Sequence, residues 1–195
     1  MEQGSLEWVK IRLGIPTASR FSDILAKGRG ITRHKYMLGL IYEIRNKMPM
    51  PSYTNNSMLH GIEAEPLARE YYEGYKKVKV EQVGFVECYG VGCSPDGLIG
   101  EDGGVEIKNP DIITHYDYYL KKKMPTAYYA QVQGSLLVTG RQWWDFVSFD
   151  NRNTDTPFFC IRVERDEKYI ANLRKEIDVF LYDMNEIMDK LDCPI

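Results

Sequence analysis

The chain has 195 residues, enough for one domain with a sizeable core. Hydrophobic residues make up 44% and charged residues 27%, an ordinary balance for a globular protein, and no apolar run reaches membrane-spanning length. A net charge of −3 excludes a generic basic nucleic-acid coat, but not an enzyme that concentrates positive charge along one track. Met1-Glu2-Gln3-Gly4 is no signal peptide, so the expected location is the cytoplasm, with no membrane partner. Cys88, Cys93, Cys160 and Cys193 form no Cys-x-x-Cys pair, which argues against zinc or iron–sulfur sites and predicts free thiols.

The first predicted element is a short helix over Ser5–Arg12, broken at Pro16-Thr17. Thr17 or Ser19 can cap a second helix through Phe21, Ile24 and Leu25, ended by Gly28. The start of that helix offers unpaired N–H groups to an anion, with Arg12 and the Ser19 hydroxyl beside it. The plain alternative is a cap and a surface arginine. Gly28-Arg29-Gly30 reads as a loop. Helices are predicted over 32–47 and 57–75, joined by a loop from Met48 to about Asn56. Pro66 either kinks the second of these or marks its first turn.

Three strands in a meander are predicted over Val83–Tyr89, Val91–Ile99 and Gly104–Asn109. Residues 112–120 read as helical or irregular. Lys121-Lys122-Lys123 is a solvated charge run or, alternatively, a phosphate contact. Thr126 is expected to cap a helix that ends near Gly140, with Tyr128 and Gln131 as neighbours on one face. Two more strands follow over 143–149 and 157–163. A long amphipathic helix over 166–191 carries Ile170, Leu173, Ile177, Phe180, Met184, Ile187 and Leu191 as a core stripe. The order implies one domain, 1–195, of α/β class with a mixed central sheet flanked by helices.

The chemistry centres on Cys93-Ser94-Pro95-Asp96-Gly97 and Gly104-Val105-Glu106-Ile107-Lys108. Alternation along a strand puts Glu106 and Lys108 on one face and Val105 and Ile107 on the other. Asp96, at the end of a hairpin partner, is close enough to converge with Glu106. Two converging carboxylates make an oxygen site for Mg²⁺ or Mn²⁺. The adjacent lysine can stabilise phosphate charge or orient a hydroxide. The bland alternative is a turn and a surface strand.

This Pro-Asp, gap, Glu-x-Lys arrangement resembles the PD-(D/E)xK nuclease signature, and the element order resembles the restriction-endonuclease-like fold. Further stretches resemble the lambda exonuclease or YqaJ-type viral recombinase family. They are Arg12-Leu13-Gly14-Ile15-x-Thr17-Ala18-Ser19, Gly61-x-x-x-Glu65-x-x-Ala68-Arg69, Tyr128-x-Ala130-Gln131-Val132-Gln133 and Val163-Glu164-Arg165-Asp166-Glu167-Lys168-Tyr169. The resemblance implies that Asp96, Glu106 and the Ile107 carbonyl hold Mg²⁺ (or Mn²⁺), with Glu65 reaching in from its helix. It makes Lys108 the catalytic lysine and Gln131 a positioner of nucleophile or phosphate. It assigns Arg12, Ser19 and Ser94 to a 5′-phosphate pocket, and Met58, His60 and Tyr128 to candidate DNA contacts, Met58 as a residue that splits the duplex. Some related nucleases carry a metal-binding histidine near His60; here Glu65 fits that role, leaving His60 to pack or meet DNA.

The implied activity is Mg²⁺-dependent 5′-to-3′ degradation of one strand of linear double-stranded DNA. The products are 5′-mononucleotides and a 3′ overhang for recombination. The implied partners are double-stranded DNA ends, a single-strand annealing protein and two further copies in a ring-shaped homotrimer. The alternatives are a structure- or site-specific endonuclease of the same fold and a non-catalytic DNA-binding scaffold.

Overall fold

Residues 1–26, 31–51 and 56–192 are described in the computed structural model, the side chains of 56–58 excepted. Strands β1 (Val86–Cys88) and β2 (Val91–Cys93) form an antiparallel hairpin. Its turn uses Tyr89 and Gly90, both at positive φ (54° and 74°), the backbone a tight two-residue hairpin requires. A second sheet holds β3 (Gly97–Ile99), β4 (Gly103–Lys108), β5 (Trp143–Phe149) and β6 (Phe158–Glu164), in that order. β4 and β5 are parallel and the two outer pairings antiparallel, so the sheet is mixed.

The expected single strand over 91–99 is two strands in different sheets. Ser94-Pro95-Asp96 interrupts it, because Pro95 has no N–H to donate to a ladder and the chain bends there. The expected three-strand meander is therefore a separate hairpin followed by the β3–β4 pair. In that pair Gly97 lies opposite Val105, which places Asp96 at the level of Glu106.

Seven helices surround the sheets among the described residues: α1 (Leu6–Ile11), α2 (Phe21–Ile24), α3 (Ile31–Asn46), α4 (Asn56–Lys76), α5 (Ile112–Lys121), α6 (Tyr129–Thr139) and α7 (Glu167–Asp192). Ser5 caps α1 by accepting from the Trp8 N–H, and Asp111 caps α5 by accepting from Ile113 and Thr114. Thr126 does not cap α6. It opens a short 3-10 turn, Thr126–Tyr128, whose N-cap is Pro125. Pro66 lies in the interior of α4 rather than in its first turn. The stop expected at Gly28 and the loop at 28–30 lie outside the described residues, as does Cys193; Cys88, Cys93 and Cys160 are free thiols.

Strand alternation sorts the core. Val105, Ile107, Val147 and Phe149 point to one face, where α4 covers them with Ala68 and Tyr72. The other face packs Leu98 and Trp144 against Val132 and Leu136 of α6 and Ile170 of α7. A third cluster around Phe21 and Phe180 joins α2, α3, α6 and α7. The α7 stripe is buried through Met184, but Leu191 is exposed, since the helix outruns the body it packs on.

Two glycines at the start of β4 let the bulky indoles of β5 lie flat on the strand. A Cβ at Gly104 would come within 2.3 Å of the Trp144 ring, which is fully buried and has nowhere to retreat. Gly104→Ala is expected to destabilise the fold by about 1–3 kcal/mol, the usual range for overpacking, read as a lower urea midpoint at unchanged slope. No helix among the described residues is long and apolar enough to cross a membrane.

Candidate active site

β4 runs through the middle of the sheet, so its polar face is shielded by α6. Glu106 is therefore buried, at 2% exposure, a position that requires partners. Lys108, two residues along the same face, places Nζ 2.5 Å from Glu106 Oε1. Gln131, from the first turn of α6, donates its amide to the same oxygen at 2.6 Å. Asp96 joins from the bend before β3, its Oδ2 accepting the Ile107 N–H at 2.6 Å. The Tyr128 ring lies 5.0 Å from Lys108 Nζ and 5.3 Å from the Phe146 ring, forming an aromatic wall beside the ammonium.

These groups polarise one another. Burial, then the neighbouring Glu106 charge, pushes the Asp96 carboxyl well above the usual carboxylate range, with Lys108 and the Ile107 N–H pulling the other way. Burial alone would lower the Lys108 ammonium. The Glu106 and Asp96 carboxylates outweigh it and hold it above its ordinary value. Burial, reinforced by Glu106, pushes the nearby Cys93 thiol up to about 12, so this cysteine is inert near neutral pH.

Glu65 is linked to this group through Arg69. Its carboxylate pairs with Arg69, one turn along α4, and Arg69 Nε donates to the Asp96 carbonyl at 3.3 Å. The ion pair engages one Glu65 oxygen, and the Glu65 charge is still felt at Asp96. Among the described residues no three His, Cys, Asp or Glu side chains form a ready-made metal cluster. The donor set that remains is Asp96, Glu106 and the intervening Ile107 carbonyl. Asp96 Oδ1 and Glu106 Oε2 accept no hydrogen bond among the described residues, so two hard oxygens are free for a divalent cation. That chemistry fits Mg²⁺ or Mn²⁺.

A second group forms where α1 meets the β2–β3 bend. The Arg12 guanidinium lies 3.7 Å from the centre of the Trp8 ring. Trp8 Nε1–H donates to Ser94 Oγ at 3.0 Å and to the Gly84 carbonyl at 2.8 Å. Arg12 and Ser94 are thus brought together. Ser19 is exposed, 3.3 Å from the Thr17 hydroxyl, on a segment held to β2 by the Gly92 N–H and Pro16 carbonyl. The expected helix start here is a three-residue 3-10 turn leading into a four-residue helix, too short for a sizeable dipole, and Thr17 caps nothing. His60 is half-buried at the start of α4, with Nε2 unpartnered among the described residues. Next to it the Gly61 carbonyl accepts from Asn109, the residue after Lys108. The Met58 side chain lies outside the described residues.

The sequence reading missed two contributors. Trp8 lies four residues before Arg12, a helical spacing that signals contact. Gln133 is fully buried and ties α6 to the start of α7, donating to the Glu164 carbonyl and accepting the Asp166 N–H. It thereby fixes the helix that carries Gln131.

The sequence pattern of the YqaJ-like viral recombinase domain matches residues 7–142, a span that holds the groups just described from Trp8 to Gln131. An alkaline exonuclease from Laribacter hongkongensis, LHK-Exo, is 37% identical with a TM-score of 0.90 and 96% of each chain covered, both by itself and in complex with dAMP. A phage-related exonuclease from Haemophilus somnus 129PT shares the fold, at 12% identity and a TM-score of 0.75 over 91% of this chain and 96% of its own. The Escherichia coli K12 protein ExoD is 33% identical over 66 residues, 34% of this chain and 76% of its own length. This chain belongs to the YqaJ-like viral recombinase domain family.

Proposed function

We propose that this protein is a deoxyribonuclease of recombination, a Mg²⁺-dependent exonuclease that removes 5′-mononucleotides from the ends of linear double-stranded DNA. The observation that carries this reading is the convergence of Asp96, Glu106, Lys108 and Gln131 on one shielded face of β4. Likeness to an alkaline exonuclease along nearly the whole chain supports it.

Asp96, Glu106 and the Ile107 carbonyl are the groups that would hold the ion. When bound, Mg²⁺ supplies an activated water and neutralises the scissile phosphate. Lys108, beside Glu106, offsets the charge that builds on the phosphate oxygens in the transition state. Gln131 locks the Glu106 carboxylate in place and leaves its second oxygen for the ion. The Asp96–Ile107 hydrogen bond fixes the spacing of the two acids. Gln131 and Lys108 are engaged with Glu106, and the two acids are assigned to the ion, so none of this set is left to read base edges and sequence preference should be slight. Cutting from a 5′ end leaves a 3′ strand, the substrate for a single-strand annealing protein. A ring-shaped homotrimer would keep the enzyme on its DNA, and light scattering at three chain masses checks that assembly.

Arg12, Ser94 and Ser19 are assigned to the 5′-phosphate of the strand being cut. Ends bearing a 5′-phosphate should be degraded at least about tenfold faster than 5′-hydroxyl ends, the worth of one charge-assisted hydrogen bond at the low end of its range. Arg12→Ala should narrow that gap. Equal wild-type rates on the two ends would remove the pocket.

A further inference from the structure

We propose that Trp8 is the positioning residue of the 5′-phosphate pocket: its ring face fixes the Arg12 guanidinium and its indole N–H turns Ser94 into a donor. The inference rests on the pocket reading above and adds to it a residue and a reason why the pocket selects an anion.

Trp8 is half-buried in the first turn of α1, and Arg12 at its C-cap comes onto the same side one turn later. The guanidinium stacks 3.7 Å from the indole centre and lies 6.0 Å from the Phe85 ring. Stacking uses the faces of the cation and leaves its edge donors free. Arg12 makes no ion pair among the described residues. Glu43, whose charge is felt at Arg12, has both oxygens committed, one to the Gly14 N–H and the other to the Met50 N–H, each at 3.0 Å. Arg12 Nε is buried without a partner among the described residues, and burial lowers the guanidinium from its ordinary value. A half-buried cation held by aromatic rings and ion-paired with no carboxylate among the described residues is prepared for an anionic ligand.

The indole N–H has the complementary effect. Nε1–H is a donor only and is shared between the Gly84 carbonyl at 2.8 Å and Ser94 Oγ at 3.0 Å, so in this contact Ser94 Oγ is the acceptor. The Ser94 hydroxyl keeps its own proton for another acceptor. One side chain thus presents a cation and a hydroxyl donor in fixed register two residues from Asp96. The ordering of a long arginine side chain is completed before the phosphate arrives.

The test measures degradation of linear duplex with 5′-phosphate and with 5′-hydroxyl ends by the wild type, Trp8→Leu, Trp8→Phe and Arg12→Ala. Trp8→Leu should reduce the phosphate-to-hydroxyl rate ratio by about as much as Arg12→Ala, on the order of tenfold. Trp8→Phe keeps a ring and loses the N–H, so it should give an intermediate ratio with a native melting temperature, which keeps the test valid if Trp8→Leu folds poorly. Equal fractional losses on both ends, leaving the ratio intact, would mean that Trp8 only supports the fold and would overturn the proposal. A wild-type ratio of one would instead overturn the pocket itself, and the role of Trp8 with it.

Discussion

Lys108→Ala should lower the rate of strand degradation by about 10³-fold while binding to duplex ends survives. The magnitude follows from what is removed: a positioned charge at the point where negative charge develops, worth roughly 10²–10³ in rate at a shielded site. The site itself should remain. Glu106 keeps its bond from Gln131, and Asp96 keeps its bond from Ile107. The main chain of β4 is held on both sides, by β3 and by β5. Lys108→Arg is not expected to rescue the rate, because a planar guanidinium cannot occupy the compact position between Glu106 and the Tyr128 ring. Gel-shift titration on blunt duplex separates the two quantities. Normal digestion by Lys108→Ala would remove the lysine from the mechanism.

Asp96→Asn should be as damaging, with a different signature. The amide oxygen can still accept the Ile107 N–H, so the variant isolates the loss of charge from the loss of geometry. In the wild type two carboxylates lie together on a shielded face, and Asp96 is disfavoured as an anion first by burial and then by Glu106. Removing one of two like charges should leave the metal-free variant at least as stable to heat as the wild type. Removing a ligand should abolish the stabilisation that Mg²⁺ gives the native state through binding. The expected pattern is activity down by about 10²–10³-fold and a melting temperature that Mg²⁺ no longer raises. A variant still stabilised by Mg²⁺ to the wild-type extent would place the ion elsewhere.

What the amino-acid order reveals here is mostly local. Alternation placed Glu106 and Lys108 together because a strand has a period of two whatever it packs against. The stripe from Ile170 to Met184 was readable for the same reason, with helical period. The α/β class with a mixed sheet followed from the order of those elements and stands. Which strand pairs with which is not a local property, so the division of 91–99 between two sheets was lost, even though Pro95 marks the break. Side-chain direction was lost too. The partner of Glu65 was not foreseen, although Arg69 lies at the right helical spacing to pair with it. The Trp8–Arg12–Ser94 group joins residues 86 positions apart in the chain, and only the folded chain puts the indole on the serine. Thr17 had the right chemistry for a cap, yet the turn that follows is too short to need one.

The central claim is that Asp96, Glu106 and Lys108 form a divalent-ion nuclease centre fed from a DNA end. Its most direct test is digestion of a long linear duplex labelled at the 5′ end or the 3′ end in turn, beside a covalently closed circle, with Mg²⁺ and with EDTA. The account predicts immediate release of the 5′ label as a mononucleotide with Mg²⁺, late or no release of the 3′ label, an intact circle and no reaction in EDTA. Undiminished release in EDTA, release of the 3′ label first, or a cut circle would contradict it.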